Sequence, residues 1–229
     1  MAQLSPTPRT TITRHRERGS SVRADLFAVL GEALVCHLGL VRDGAPVVLP
    51  TIYAVDPDGP DDGGTLYLHG SVAAPWLVEA PGQTVCATFT LLDGAVLARS
   101  GFSHSMNYRS AVVLGEVRRV DDEAERDHAL WLMVDHVVPG RSGTLRPFTR
   151  KELAATTVLA LPLAEASVKG RSGGPKDEPE DLAAGVWAGV IPLRLRASAV
   201  EPDADAPDDL PVPDDVRRRL AGWGAPDPG

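Results

Sequence analysis

The chain has 229 residues, 43% of them hydrophobic, with 22 Gly and 20 Pro. That composition suits one β-rich domain with many turns and disfavours a helical bundle. The net charge is −8, so no basic nucleic-acid-binding surface is expected.

Residues 1–19 are polar and Pro-containing, and read as an extended arm without the apolar core of a signal peptide. Ser20 or Ser21 can cap a helix to about Glu32, with Val22, Leu26, Val29 and Leu30 on one face. Two strands are expected next, Ala33–Val41 and Pro46–Val55, joined by the hairpin signal RDGA at 42–45. The acidic loop 56–64 leads into a strand from Thr65 to His69. Pro75 fits the first turn of a short helix to about Ala80, which Pro81-Gly82 stops.

Strands are then expected at Val85–Leu91 and Ala95–Arg99 around the turn LDG, and at Ala111–Val120, where Gly115 marks a bulge or bend. Asp121 or Asp122 caps a helix carrying Leu130, Met133, Val134 and Val137 at helical spacing. Thr149 with Glu152 forms a capping box ahead of a strand at Val158–Leu163. Residues 167–181 read as a long flexible loop, and a last strand runs from about Val186 to Arg196, with Leu193 and Leu195 on its buried face. From 198 to 229 the chain is acidic and Pro-rich, a tail outside the core. Its piece DDVRRRLAGW can form a short helix.

About eight short strands with short connections favour antiparallel pairing. The expected fold is mainly β with flanking helices, an antiparallel barrel closed to protect its edges. No apolar run approaches the ~20 residues of a membrane span. Cys36 and Cys86 make neither a disulfide framework nor a metal set, so the expectation is a cytoplasmic protein with reduced thiols and no membrane partner.

Rossmann, P-loop, zincin and α/β-hydrolase signatures are missing from the sequence. Two polar clusters stand out instead. In LYLHGS (66–71) a strand turns into a helix, and the free N–H groups of such a corner favour an anion. Gly70 would let a ligand approach the backbone, and Ser71 adds a hydroxyl. His69 shares a strand face with Tyr67, opposite Leu66 and Leu68, so it faces a pocket if those leucines are core. A strand end with a capping Ser explains the same residues. The second cluster is RSGFSHSMNYRSAVVLGEV (99–117), which packs His104, Tyr108, Arg109 and Ser110 ahead of an apolar strand. Arg109 is a fork suited to phosphate or carboxylate; a salt-bridged hairpin is the other reading. His69 and His104 are candidates for proton transfer, or for a haem-iron ligand. Lys169 and Arg171 on a Gly-rich loop, with Trp187, could close over an anionic aromatic ligand.

Together, LVCHLGLVRDGAPVVLPTIYAV, LYLHGS, TLLDGAVLARSGFSHSMNYRSAVVLGEVRRV, LWLMVDHVVPGR and VWAGVIPL resemble the pyridoxamine 5′-phosphate oxidase-related flavoproteins, nearest the nitroimidazole-reductase-like branch. The resemblance covers roughly residues 8–197. It implies an FMN-binding split barrel over 20–197, a homodimer with FMN at the interface, and an FMN-dependent oxidoreductase acting on a small-molecule substrate. By resemblance, Leu49, Pro50, Thr51 and Tyr53 lie along the flavin ring. His69, Gly70 and Ser71 lie at the ribityl-phosphate end, and Tyr108, Arg109 and Ser110 line the same cleft. Lys169, Arg171 and Trp187 approach from the partner. Catalytic roles fall to His69 first and His104 second. One departure matters: Ala74-Pro75-Trp76 stands where relatives usually carry a phosphate-binding cation. That opens two alternatives, a haem protein using His69 or His104, and a non-catalytic flavin-binding module.

Overall fold

A computed structural model describes residues 3–4, 7–207 and 209–224. Two antiparallel sheets face each other. The larger has seven strands: β1 (Gly19–Ser20), β2 (Cys36–Arg42), β3 (Ala45–Thr51), β6 (Thr84–Leu97), β7 (Ser105–Glu116), β10 (Glu165–Arg171) and β11 (Gly189–Pro192). Its order is β1-β10-β7-β6-β2-β3, with β11 also paired to β6. The smaller has four: β4 (Tyr53–Asp56), β5 (Thr65–Ser71), β8 (Arg118–Arg119) and β9 (Thr156–Pro162), in the order β4-β5-β9-β8. The expected full closure is therefore corrected. The barrel is split, because the chain changes sheet at Ile52, between β3 and β4, and at Val117, between β7 and β8.

Alternation along the strands fills the space between the sheets. Leu38, Leu40, Phe89 and Val113 point in from the large sheet and meet Leu66, Leu68, Leu159 and Leu161 from the small one. Helix α1 (Arg23–Glu32) packs on the inner side of the large sheet and buries Leu26, Val29 and Leu30. Ser20 supports α1 from upstream rather than as its cap: its Oγ donates to Asp25 and accepts the N–H of Val22, the residue at the N-cap. Helix α3 (Glu123–Val137) covers the back of the small sheet, where Ala129, Leu130 and Met133 meet Tyr67, Val158 and Ala160. Asp122 caps α3 by accepting the N–H of Glu125, and Thr149 with Glu152 makes the capping box of α4 (Arg150–Ala155), both as the sequence predicts. Helix α2 (Pro75–Glu79) starts on its proline.

Four local expectations are overturned. LDG is not a turn: β6 is one 14-residue strand, and Asp93 is the extra residue of a bulge, since Leu92 pairs with Tyr108 and Gly94 with Asn107. Residues 167–171, expected as the start of a loop, belong to β10 (Glu165–Arg171), paired with β7 from Leu114 to Tyr108. Gly115 stays in regular register; it is small because a Cβ there would sit 3.0 Å from Leu161 Cδ1 of the facing sheet. The last strand spans only Gly189–Pro192, and both Leu193 and Leu195 are exposed.

Both ends of the described chain lie on the domain. Thr7 and Arg9 donate to the Glu165 carboxylate. Helix α5 (Asp214–Gly222) buries Leu220 and sets Asp215 3.4 Å from Arg141.

Candidate functional site

The strand–helix corner at the end of β5 divides two environments. Gly70 faces α2 so closely that a Cβ would stand 2.7 Å from Leu77 Cδ1, with Trp76 behind it. The Ser71 hydroxyl accepts the N–H of Ala73, and the Ser71 carbonyl accepts that of Ala74. The corner's polar groups are thus used locally and its space is filled by Leu77 and Trp76. A helix of five residues adds little dipole.

One residue earlier, His69 turns to the other side of the small sheet. It lines a cavity of about 640 Å³ whose other walls are almost wholly apolar. Met133, Val134 and Val137 come from α3; Trp131 and Phe148 form an aromatic wall with ring centroids 4.4 Å apart. The volume falls in the range of small-molecule and cofactor sites. His69 Nδ1 is shut from solvent and has no hydrogen-bond partner. Burial lowers the imidazole's pKa, so the ring is neutral at pH 7 and keeps a lone pair for a ligand. At the mouth, Arg146 and Glu152 face each other as the cavity's charged residues, at 2.7 and 3.0 Å.

A second cavity, of about 1130 Å³, lies at the far end of β6, β7 and β10. It brings together Tyr108, Arg109 and Arg171, with Arg194, Arg219 and Trp223 added by the C-terminal segment. Arg109 is not a free fork. It donates to Asp93 at 2.8 and 3.0 Å and to both oxygens of Glu32 at the end of α1. The hydrogen bonds from Arg109 lower the pKa of both carboxyls. Arg171, expected on a mobile loop, is buried. It ties the end of β10 to Asn107 Oδ1 and to the carbonyls of Gly173 and Gly174. Among the described residues Arg194 and Arg219 donate to backbone carbonyls, and Arg219 stacks on Trp223 at 4.1 Å.

The remaining predicted residues scatter. Tyr53 is corrected outright: it is fully buried, its hydroxyl on the carbonyls of Leu30 and Ala33, and it packs on Phe89 and His136. The alternation runs unbroken through Ile52: Leu49, Thr51, Tyr53 and Val55 share one face, and the change of sheet carries that face into the core at Tyr53. Leu49, Pro50 and Thr51 lie on β3, the edge of the large sheet. Ser110 Oγ donates to the Lys169 carbonyl, and Lys169 Nζ to the carbonyl of Arg14. Trp187 is 67% exposed, and His104 is exposed on a turn, its Nδ1 at 2.9 Å from the Ser100 carbonyl oxygen. Residues sequence reasoning missed are Trp131, Phe148 and Arg146, and on the other side Arg194, Arg219 and Trp223. The helical spacing of Leu130, Met133, Val134 and Val137 leaves out Trp131, whose presence widens the apolar stripe beyond one face and was the available signal.

Among the described residues no group of three His, Cys, Asp or Glu could hold a metal ion, and no helix is long and apolar enough to cross a membrane. Cys36 is buried, which pushes its thiol up to about 12.

Among the described residues, the α-helix with a substantial contact to the large sheet is α1, whose buried side joins the core between the sheets. Cross-strand partners on the outer face of that sheet include Val48, Gly39, Cys86 and Leu114 in one row, and Val48 is 62% exposed.

Comparison with known proteins agrees with this architecture. The family model described as pyridoxamine 5′-phosphate oxidase matches residues 22–170. The flavocytochrome Anf3 from Azotobacter vinelandii is 35% identical with a TM-score of 0.85, covering 96% of this chain and 98% of its own. An FAD and haem binding protein from Mycobacterium smegmatis is 39% identical with a TM-score of 0.81, covering 88% and 96%. A putative 5-nitroimidazole antibiotic resistance protein from Bacteroides thetaiotaomicron, 24% identical with a TM-score of 0.53 over 66% and 85%, shares the fold. The curated proteins contain no match. With a split barrel of two antiparallel sheets and a family model spanning most of both, the chain belongs to the pyridoxamine 5′-phosphate oxidase family.

Proposed function

We propose that this protein binds a haem in the His69 cavity and a flavin in the arginine-lined cavity, and acts as a redox protein on a small molecule. The observation that carries the haem reading is His69 itself: a neutral imidazole, its pKa lowered by burial, in the wall of a cavity that is apolar but for Arg146, Glu152 and Thr156. Nδ1 is shut from solvent, so a ligand in the cavity would meet the other ring nitrogen, Nε2. An iron porphyrin fits this lining: His69 would supply a nitrogen ligand to the iron, and Trp131 and Phe148 would pack against the ring. Of the two histidines considered as haem ligands, His104 lines neither cavity.

The flavin reading rests on family membership and on the second cavity. Arg219, which makes no ion pair among the described residues, and Arg194, which shares the field of Glu32 and Asp93 without a direct bond to either, suit a diphosphate, and Tyr108 and Trp223 offer flat faces to an aromatic ring. FAD fits this better than FMN, because the corner after His69 has no cation and is packed by Leu77 and Trp76. The M. smegmatis protein, 39% identical, is described as binding FAD and haem, which supports the same pairing here.

When bound, the two groups supply one- and two-electron chemistry. The protein's part is to hold them apart in separate cavities, to keep water from the haem face with α3 and Phe148, and to keep His69 unprotonated. A second copy covering the Val48 row is the homodimer we propose.

The absorbance spectrum of the purified protein tests this, with mass spectrometry of what denaturation releases. A Soret band together with flavin absorbance is expected, the Soret band lost in His69→Ala. A colourless protein that takes up neither haem nor flavin overturns the reading, and a released FMN replaces FAD by the mononucleotide.

A further inference from the structure

The chain is acidic overall, yet residues 141–151, RSGTLRPFTRK, carry Arg141, Arg146, Arg150 and Lys151 and no acid. This basic stretch forms one lip of the His69 cavity, to which it contributes Leu145, Arg146 and Phe148. Arg141 is taken by Asp215, whereas Arg150 and Lys151 are exposed and have no ion pair among the described residues. Arg146 is held by Glu152 alone among carboxylates, and donates also to the Pro147 carbonyl at 3.0 Å. A cavity that is apolar inside and cationic at one lip fits a flat apolar ligand with carboxylates on one edge.

We propose that this lip is a carboxylate clamp, in which Arg146 exchanges Glu152 for a carboxylate of a dicarboxylic porphyrin lying against Trp131 and Phe148. The proposal rests on the haem reading and adds to it which edge of the ligand points out, and why the ligand must be an acid. The exchange is inexpensive. Glu152 does not depend on Arg146 to stay ordered, since its carboxylate also accepts the Thr149 N–H as half of the α4 capping box. The planar guanidinium binds any carboxylate in the same two-pronged geometry, so the ligand replaces like with like. Arg150 and Lys151 then add a field that favours anions without needing direct contact.

Metal-free protoporphyrin IX and its dimethyl ester separate this from the haem reading, since neither needs an iron ligand. Each is titrated into the wild-type protein and two variants, following Trp quenching and porphyrin fluorescence. Arg146→Ala is expected to weaken protoporphyrin IX about fivefold and to leave the ester unchanged. Glu152→Gln keeps a capping-box side chain while removing the competing charge, and is expected to tighten the acid two- to threefold, again without effect on the ester. Equal changes for acid and ester in both variants, or none in either, overturn the clamp while the haem reading stands. Wild-type protein that takes up neither porphyrin overturns the clamp, and the haem reading then stands or falls on its own Soret test.

Discussion

Asp93 meets Arg109 because it is the residue that does not fit its strand. The bulge between Leu92 and Gly94 leaves Asp93 without a cross-strand partner and swings its carboxylate onto the Arg109 guanidinium, which reaches on to Glu32 of α1. One arginine thereby pins a helix end to a sheet.

Removing Arg109 leaves two carboxylates facing each other. Arg109→Ala is expected to cost about 1 kcal/mol after allowing for solvent screening at this half-exposed site, read as a lower Tm. Both carboxyl pKa values are depressed in the folded state, so this stabilisation is full above the ordinary carboxylate range and is lost as pH falls through the depressed values. The Tm difference between wild type and variant should therefore be largest at neutral pH and shrink in acid. A difference independent of pH removes the ion pair as its source.

His69 should lose ligand as it gains a proton, but late. Burial lowers its pKa below the ordinary imidazole value, so haem ligation should persist below pH 6.5. A Soret titration checks this; a midpoint above 6.5 would mean that the ring is not held in the apolar environment described.

Tyr53→Phe should destabilise without touching either cofactor. It removes the hydroxyl bonds to the Leu30 and Ala33 carbonyls, at about 1–2 kcal/mol. Denaturant melts and cofactor titrations on the same variant test it. A changed flavin affinity with unchanged stability would return Tyr53 to the ligand site.

Gly70→Ala distinguishes packing from ligand approach. The new methyl meets Leu77 Cδ1, and overpacking of this kind costs about 1–3 kcal/mol. Adding Leu77→Ala should recover much of the lost Tm relative to Leu77→Ala alone. No coupling between the two sites argues against the packed corner.

Val48→Asp tests the second copy. A charge at the exposed edge-strand end of the uncovered row should convert a dimer to monomer in analytical ultracentrifugation. Wild-type protein that is already monomeric at micromolar concentration ends the dimer proposal.

The strands and helices were legible wherever a local rule decides them. Asp122, the Thr149–Glu152 box and Pro75 each act within one turn, and the alternating Leu38/Leu40 and Leu66/Leu68 show their buried face directly. Reading failed where a distant partner overrides the local signal. LDG has turn chemistry, but pairing with β7 on one side and β11 on the other carries the strand through it. SVKGR looks like loop until β7 offers it a full ladder of hydrogen bonds.

The site divides in the same way. Sequence alone determined the family, the mainly β fold, and His69 as a residue facing away from the core leucines, because these follow from residue order and a period of two. Only the tertiary structure decided what His69 faces, that Arg109 and Arg171 are already engaged, and that Tyr53 is core. Those outcomes depend on which groups compete for each donor across tens of residues, and on the change of sheet at Ile52, which carries an unbroken alternation from an edge strand into the core.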